Sequence, residues 1–571
     1  MKRHLLTLLL LILTTLLYGR TRVIELSPTG GADNALFAQA FAQAATLKGR
    51  PVTIRLTPGI YRMKRAMSIE KLYYVSNTTS ESEDSDPTKH IGLWMKGLEN
   101  VTLDGQGSTL LLTGEMSAFI LDSCRNITIK RLKIDNDEPT QTEMTVVRVE
   151  GNEMTVQVHP TSHYCIEKGR LTWQGDGWSF AGGIAQTYDP VTDRTWRSWS
   201  PMSGLKEARE LGGGRLLLTY DSPPKAQAGW VFQMRDAIRD EVCGLVWQCR
   251  NVTFQEVDFN YLGNFGVVCQ YSRDITFDHT LFAPDKESGR TNAGFADFIQ
   301  ASGCRGLFTV RHSRFAGAHD DPINIHGTHL RVVEQPQERQ LRVRFMHGQT
   351  YGFPAFFTGD RVQITDDRTL LPIATARVKT ATLVSPREIL LTLDRSISST
   401  IIDSAHAVVE NITWCPRVHI TGNHFSRIPT RGLLITTRRK AVVEGNTFTG
   451  MQMSGLLVAD DALSWYESGA VHNLTVRDNT FIDCGKPVVL IEPESRINGG
   501  AVHRNITIRD NFFYLGEGET VAVWAKGVKN LKVERNHFYI KGTGTKKIDE
   551  MVQYRDCKPV KVNNNSINRY E

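Results

Sequence analysis

A nine-residue phrase repeats through the C-terminal part of the chain and constrains the fold more than any other feature. It reads Asn473-Leu-Thr-Val-Arg-Asp-Asn479-Thr-Phe481, then Asn505-Ile-Thr-Ile-Arg-Asp-Asn511-Phe-Phe513, then Asn530-Leu-Lys-Val-Glu-Arg-Asn536-His-Phe538. Weaker copies end at Phe448, Phe425, Phe315, Phe282, Phe259 and Ile134. From Phe259 to Phe538 the phrase ends are spaced by 23, 33, 110, 23, 33, 32 and 25 residues. Repeats of this length, with alternating Ile, Val and Leu and no helical period, describe an all-β chain wound as a right-handed parallel β-helix. Each coil supplies one phrase, and its Asn and Phe stack on their copies in the next coil. A β-sandwich would share the alternation but does not require a repeated phrase.

The irregular gaps locate insertions. Between Phe315 and Phe425 there is room for one coil plus about 85 residues, and between Ile134 and Phe259 for one coil plus about 100. Both excesses alternate like antiparallel strands, as at Leu341–Phe345 and Glu388–Leu393 in one, and Met144–Val149, Met154–Val158 and Arg215–Tyr220 in the other. The expected organisation is a β-helix over 20–571, carrying β-barrel-like modules at 140–240 and 329–410. Insertions on a solenoid cluster on one face, often the binding face. Before the solenoid, Lys2-Arg3-His4 precede an apolar run from Leu5 to Leu17. A basic start and about 13 mostly apolar residues read as an export signal over 1–19; a membrane span needs roughly 20. The mature protein is thus expected outside the cytoplasm, periplasmic or secreted, without a stable membrane span.

Composition narrows the partners. With 67 Lys+Arg against 61 Asp+Glu the formal charge is only +6, and no basic block is interleaved with aromatics. Nucleic acid is therefore not the expected partner. Nine cysteines in an exported chain invite a disulfide framework. Four of them recur in similar contexts, at Cys124, Cys249, Cys304 and Cys415. A repeated position with an odd total reads as small buried side chains instead. Eight Asn-x-Ser/Thr sequons, Asn473 and Asn505 among them, mostly coincide with the repeat phrase and are read as part of the strand.

Two segments depart from the repeat's ordinary composition: Gly294-Phe-Ala-Asp297-Phe-Ile-Gln and Ala318-His-Asp320-Asp321-Pro-Ile-Asn324-Ile-His326. Asp320 and Asp321 lie 23 and 24 residues after Asp297, one coil on. Residues one coil apart stack at about 4.8 Å. Three carboxylates so close cannot all stay ionised, and at least one pKa must rise. Glycoside cleavage needs such a set, one acid to protonate the leaving oxygen and carboxylates to hold water. An Asp-Asp-Pro turn on a solvated edge is the bland alternative, and Asp297 one coil below argues against it. Counting from the Phe marker, Arg431, Ser454 and Pro487 follow Asp321 up the same edge, with Lys486 beside Pro487 and Asn264 near Asp297 in a looser register. This polar column suggests a cleft. Trp465 and Glu467, in Leu463-Ser-Trp-Tyr-Glu-Ser-Gly, offer an aromatic face and a hydrogen-bonding carboxylate suited to a sugar. Asn264, Asn324, His326, Arg431, Trp465, Glu467 and Lys486 are accordingly the expected substrate contacts.

No cofactor or metal is expected. Asp135-Asn-Asp137-Glu138 lacks a defined ligand spacing. His159-Pro-Thr-Ser-His163 has the spacing of a helical zinc pair, but Pro160 and the β context deny it the helix.

Asp297, then Asp320-Asp321 one coil later, resembles the carboxylate triad of the polygalacturonase-type β-helix hydrolases. The wider context, with Phe-Ala-Asp297-Phe-Ile-Gln, His-Asp320-Asp321-Pro-Ile-Asn-Ile-His, Ser-Trp465-Tyr-Glu467-Ser-Gly and two β inserts, resembles the bacterial exo-α-1,3-galactosidases of glycoside hydrolase family 110 across essentially the whole mature chain. That resemblance implies removal of terminal α-1,3-linked galactose from oligosaccharides or glycoconjugates, including blood-group B type glycans, with inversion and without metal. It implies Asp320 as the general acid and Asp297 with Asp321 as holders of the attacking water. Two other classes remain open from the residues: a Ca²⁺-dependent polysaccharide lyase with Arg431 as base, and a non-catalytic glycan-binding β-helix.

Overall fold

The structure is a computed structural model that describes residues 21–570 except 400–401, 403–405, 519–520 and 543–545; the expected export signal lies outside the described residues. Among them no helix is long and apolar enough to cross a membrane. Each coil of the solenoid lays down three short strands, as in Arg417–Thr421, His424–Ser426 and Leu433–Ile435. The next coil repeats them in parallel register at Ala441–Glu444, Thr447–Thr449 and Leu456–Val458. One helix, Asn34–Thr46, buries Phe37 and Phe41 in the same continuous core.

The repeated phrase explains the coil. Its apolar residues point inward, so Leu474, Val476 and Phe481 are buried while Thr475 and Arg477 are partly exposed. The chain then turns at a residue in the left-handed region, Gly422, Gly445, Asp478, Asp510 or Arg535 in successive coils, with φ between 55° and 65°. Gly, and Asp to a lesser degree, tolerate that conformation. The Asn that follows closes the corner. Asn423, Asn446, Asn479, Asn511, Asn536 and Asn565 form a continuous ladder, each Nδ2 donating to the next Oδ1 at 2.9–3.0 Å. Behind it the Phe rings stack from Phe259 to Phe538 with centroids 4.6–5.2 Å apart. The sequon residues Asn473 and Asn505, with Asn530 at the same place in the next phrase, make a second, exposed ladder, Asn505 Nδ2 to Asn473 Oδ1 and Asn530 Nδ2 to Asn505 Oδ1, both 2.9 Å. All nine cysteines are free, and Cys124, Cys249 and Cys304 are core residues.

Both long gaps are single coils. Phe315 pairs directly with Phe425, and Ile134 with Phe259. The first insert is a seven-stranded antiparallel sheet between Thr142 and Arg235, and a three-stranded sheet, Tyr164–Phe180, shares its core through Trp173, Trp178 and Phe180. The second insert closes. Strand Ile323–Glu334 pairs with Gln340–Arg344 and with Ala407–Asn411, and the remaining antiparallel pairings complete a six-stranded ring. That first strand is shared, because its N-terminal half pairs with Ile299–Ser302 in the solenoid and its C-terminal half belongs to the barrel.

Asn479 tests the ladder. Its side chain donates to the Val443 and Arg477 carbonyls at 2.9 Å and accepts from Asn446 N at 3.0 Å, besides its two ladder bonds. Asn479→Leu keeps the volume but strands buried groups at about 1–3 kcal/mol each. Chemical denaturation should show a loss of at least about 3 kcal/mol; a loss under about 1 kcal/mol would mean that the ladder is not what holds the corner.

Candidate active site

The strand register keeps part of the column expected from the Phe marker. Register Ile299↔Ile323, Asn324↔Leu434, Leu434↔Leu457 and Leu457↔Leu490 places Asp297, Asp321, Arg431, Ser454 and Pro487 one above another. Just beneath Asp297, a Cβ on Gly266 would lie 2.2 Å from the carbonyl oxygens of Asp297 and Phe298, so only glycine lets the lower coil approach. A cleft opens on this edge, lined by Asp297, Asp320, Asp321, Asn324, Arg431, Trp465 and Glu467 of the expected residues. One oxygen from each of Asp297, Asp320 and Asp321 can be chosen so that all three lie within 4.8 Å of one another.

The three carboxylates have different settings. Asp297 is buried and accepts from Asp321 N and Asn324 Nδ2, both at 3.3 Å. Burial first, then repulsion from Asp320 and Asp321, pushes its pKa well above the carboxylate range. Asp321, its side chain 2% exposed, faces Arg431, with Nε at 3.0 Å and Nη2 at 2.8 Å. Burial raises its pKa too, and the Arg431 guanidinium opposes the rise. Asp320 diverges from its neighbour in the bend that precedes strand Ile323–Glu334. Its side chain is 17% exposed and lies 3.5 Å from both Arg197 and Arg239.

Both inserts build this cleft. The first pins the Asp-Asp turn, since Gln186 Nε2 donates to the His319 carbonyl at 2.9 Å and Gln233 Oε1 is 3.0 Å from His319 Nε2. It also supplies Arg197, and its buried Glu143 accepts from Thr291 and Asn292 on the loop leading to Asp297. The second insert supplies His347, whose ring stacks on Trp465 with centroids 4.4 Å apart. Asp461 accepts from the backbone N–H groups of Leu463, Ser464, Trp465 and Tyr466 and so shapes the Trp465 loop. Glu467 is held by Asn77 Nδ2 at 2.9 Å and Asn324 Nδ2 at 3.3 Å.

Three expected contacts are placed otherwise. Asn264 is buried away from the cleft, its Nδ2 shared between Glu115 and Asp240, because the coil beneath Asp297 is offset by one residue from the column (Val267↔Ile299). Lys486 turns to the carbonyls of Gly516 and Glu517 at 3.3 and 3.1 Å. His326 stands behind the lining, Nδ1 to Gly327 O at 2.7 Å and Nε2 3.5 Å from Glu467. Arg431 lines the cleft with its Nε and Nη2 turned to Asp321. Sequence reasoning missed Asn77, Arg197, Arg239, Asp461 and Glu494. Glu494 lines the far wall, its pKa raised to about 6 by burial and then by Asp461 and Glu467. The carboxylate triad is also the one group with metal-ligand spacing among the described residues. Arg197, Arg239 and Arg431 already stand where a cation would neutralise it.

Three carboxylates clustered in a cleft on a parallel β-helix form an arrangement that glycoside hydrolysis can use. Comparison with known proteins gives the family. Residues 142–232 match the model described as GLAA-B beta-barrel domain I, residues 340–403 match GLAA-B beta-barrel domain II, and residues 396–538 match the right handed beta helix region. Alpha-1,3-galactosidase A of Bacteroides thetaiotaomicron is 53% identical over 96% of this chain and 97% of its own. The Streptomyces avermitilis alpha-1,3-galactosidase A is 36% identical over 86% and 82%, and alpha-1,3-galactosidase B of B. thetaiotaomicron 29% identical over 99% and 94%. The chain belongs to the α-1,3-galactosidase family, glycoside hydrolase family 110.

The Asp297 environment has a pH signature. A carboxyl whose folded pKa is raised adds stability that is complete below its unfolded value of about 3.9 and is lost as pH rises through the folded value. Asp297→Asn stays neutral throughout and can still accept from Asp321 N while donating to Asn324 Oδ1, which has no partner. The variant should melt several degrees above wild type near neutral pH, the gap closing toward pH ~4. Melting curves across pH check this, and a pH-independent gap would disprove it.

Proposed function

We propose that the protein is an exported exo-glycosidase that removes terminal α-1,3-linked galactose, including that of blood-group B type glycans, by inversion. The observation that carries the reading is the stacked triad Asp297, Asp320, Asp321 in a chain 53% identical to an alpha-1,3-galactosidase A. Export rests on the basic and apolar start of the chain. Six carboxylates line the cleft against two guanidiniums, Arg239 and Arg431, which suits a neutral sugar and disfavours the uronate substrate of a lyase or polygalacturonase.

The roles follow from position. Two carboxylate oxygens within 4.8 Å span one water that donates to both at about 2.8 Å. Asp297 and Asp321 make the cleft floor and hold that water. Arg431 keeps Asp321 aimed as its acceptor. Asp320, the member reaching into the open cleft, faces the leaving glycosidic oxygen as the acid of the set. Arg197 and Arg239 orient Asp320. Trp465, 40% exposed and backed by His347, presents a face to a sugar ring. Asn324 and Glu467 face the same space.

Inverting sites usually separate acid and base by about 6.5–9.5 Å, against about 5–5.5 Å in retaining ones. The triad is tight, so stereochemistry is a demanding test. Proton NMR of a blood-group B trisaccharide digest should show β-galactose before mutarotation, and Asp297→Asn, Asp320→Asn and Asp321→Asn should each lower kcat at least ~10²-fold. First appearance of α-galactose would mean that one of the three attacks the sugar directly.

Acid–base chemistry of this kind asks nothing of a Lewis acid. Dialysis against EDTA should leave galactosidase activity unchanged, whereas loss restored by Ca²⁺ would favour the lyase reading.

A further inference from the structure

A second cavity, of about 640 Å³, lies where the six-stranded barrel meets the coil corners. Arg361 and Arg377 come from the barrel; Arg438, Arg439, Arg504 and Lys529 come from the solenoid. No carboxylate lines it. Arg438 is engaged by buried Glu410. Arg361, Arg377, Arg439, Arg504 and Lys529 have no ion pair among the described residues. In the solenoid wall, His472 registers with Arg504 and Arg504 with Lys529. Like charges directly opposite on neighbouring strands destabilise a sheet. At one point the solenoid offsets such a charge by pairing Glu444 with Arg477 on the next strand, although Arg125, Arg250 and Arg273 also stand in register. Here the column is left cationic on an open surface.

The imidazoles fit the same field. His503 is fully buried, and its Nδ1 accepts from Val471 N at 3.0 Å, which leaves Nε2 protonated and without a partner. Burial first, then neighbouring cations, lowers His503 to about 3 and His472 to about 4. No Phe, Tyr or Trp ring lines the cavity, so it lacks the usual stacking platform for a base or for the face of a neutral sugar. What it has is guanidiniums, whose fork geometry matches sulfate and carboxylate oxygens. Thr436 lines the catalytic cleft and Arg438 the basic cavity, two residues or about 7 Å apart along the strand direction.

We infer that this cavity is an anion subsite that takes sulfate or carboxylate groups carried on a glycan. It lies outside the galactose-cleaving cleft, and its occupancy is read by binding, independently of any galactosidase activity.

Calorimetric titration tests it with three probes: a persulfated disaccharide, a tri-uronic acid and a single-stranded oligonucleotide. At least one glycan anion should bind at about 20 mM salt and weaken at least ~10-fold by about 200 mM, as displaced counterions require. The persulfated and uronate arms separate sulfate from carboxylate recognition. Arg439→Ser with Arg504→Ser should lose at least ~10-fold in affinity while hydrolysis of an aryl α-galactoside is kept, which shows that the variant folds; Lys529→Ala should give the same direction by a smaller factor. Absence of binding to both glycan anions at low salt, or undiminished binding by the double variant, overturns the subsite. Tighter binding of the oligonucleotide than of either glycan overturns its assignment to glycans.

Discussion

Everything in this molecule depends on parallel strands stacking in register with a fixed step. That step turns one residue per coil into a column, so a choice made once in the sequence is felt by the residues above and below it. Asn columns close the corners, Phe columns fill the core, and on one edge the column becomes Asp297, Asp321 and Arg431. Glycoside hydrolysis uses carboxylates brought close together, which is ordinarily unfavourable. The backbone ladder enforces it, because Asp297 and Asp321 cannot separate without breaking the pairing of Ile299–Ser302 with Ile323–His326. Arg431, held by the same ladder, supplies the compensating charge.

The inserts are part of the site and not ornaments on it. The first holds His319 from behind and lends Arg197; the second lends His347 and steadies Asn77 through Thr350, whose Oγ1 donates to Asn77 Oδ1 at 2.6 Å. A single strand, Ile323–Glu334, links these parts. It pairs below with the Asp297 coil, sideways with Glu467–Ser468, and at its far end with the barrel. Three contributions to the cleft are therefore registered to one piece of backbone.

Sequence legibility follows from the same physics. Whatever lies in the column could be found by counting, which is why Asp297, Asp320, Asp321 and Arg431 were visible before any coordinates. Asn264 and Lys486 were mistaken where counting ran one residue out of step, since a one-residue slip turns a side chain away from the cleft. Asn77, Arg197 and Arg239 come from a loop, an insert strand and the segment after the insert, and none belongs to the repeat. Their approach to the cleft depends on tertiary packing that no period encodes. Glu494 stands one coil above Asp461, but the surrounding Pro493 and Ser495 look like any turn.

The closure of the second barrel bears on how the chain reaches this state. Phe315 must find Phe425 across 110 residues, where the coil that follows spans 23. A flexible loop of that length would add about 1.4 kcal/mol of closure entropy over an ordinary coil. The barrel removes most of this by itself, because its last pairing, His329 with Glu410, brings the two ends of the excursion side by side. Once it has formed, the solenoid meets a loop of roughly ordinary length, and winding can continue from Phe315 to Phe425 as though nothing had been inserted. An early-folding barrel would thus act as a splint for the growing coil, setting an order of assembly in which the catalytic edge is completed only after its lateral support is in place.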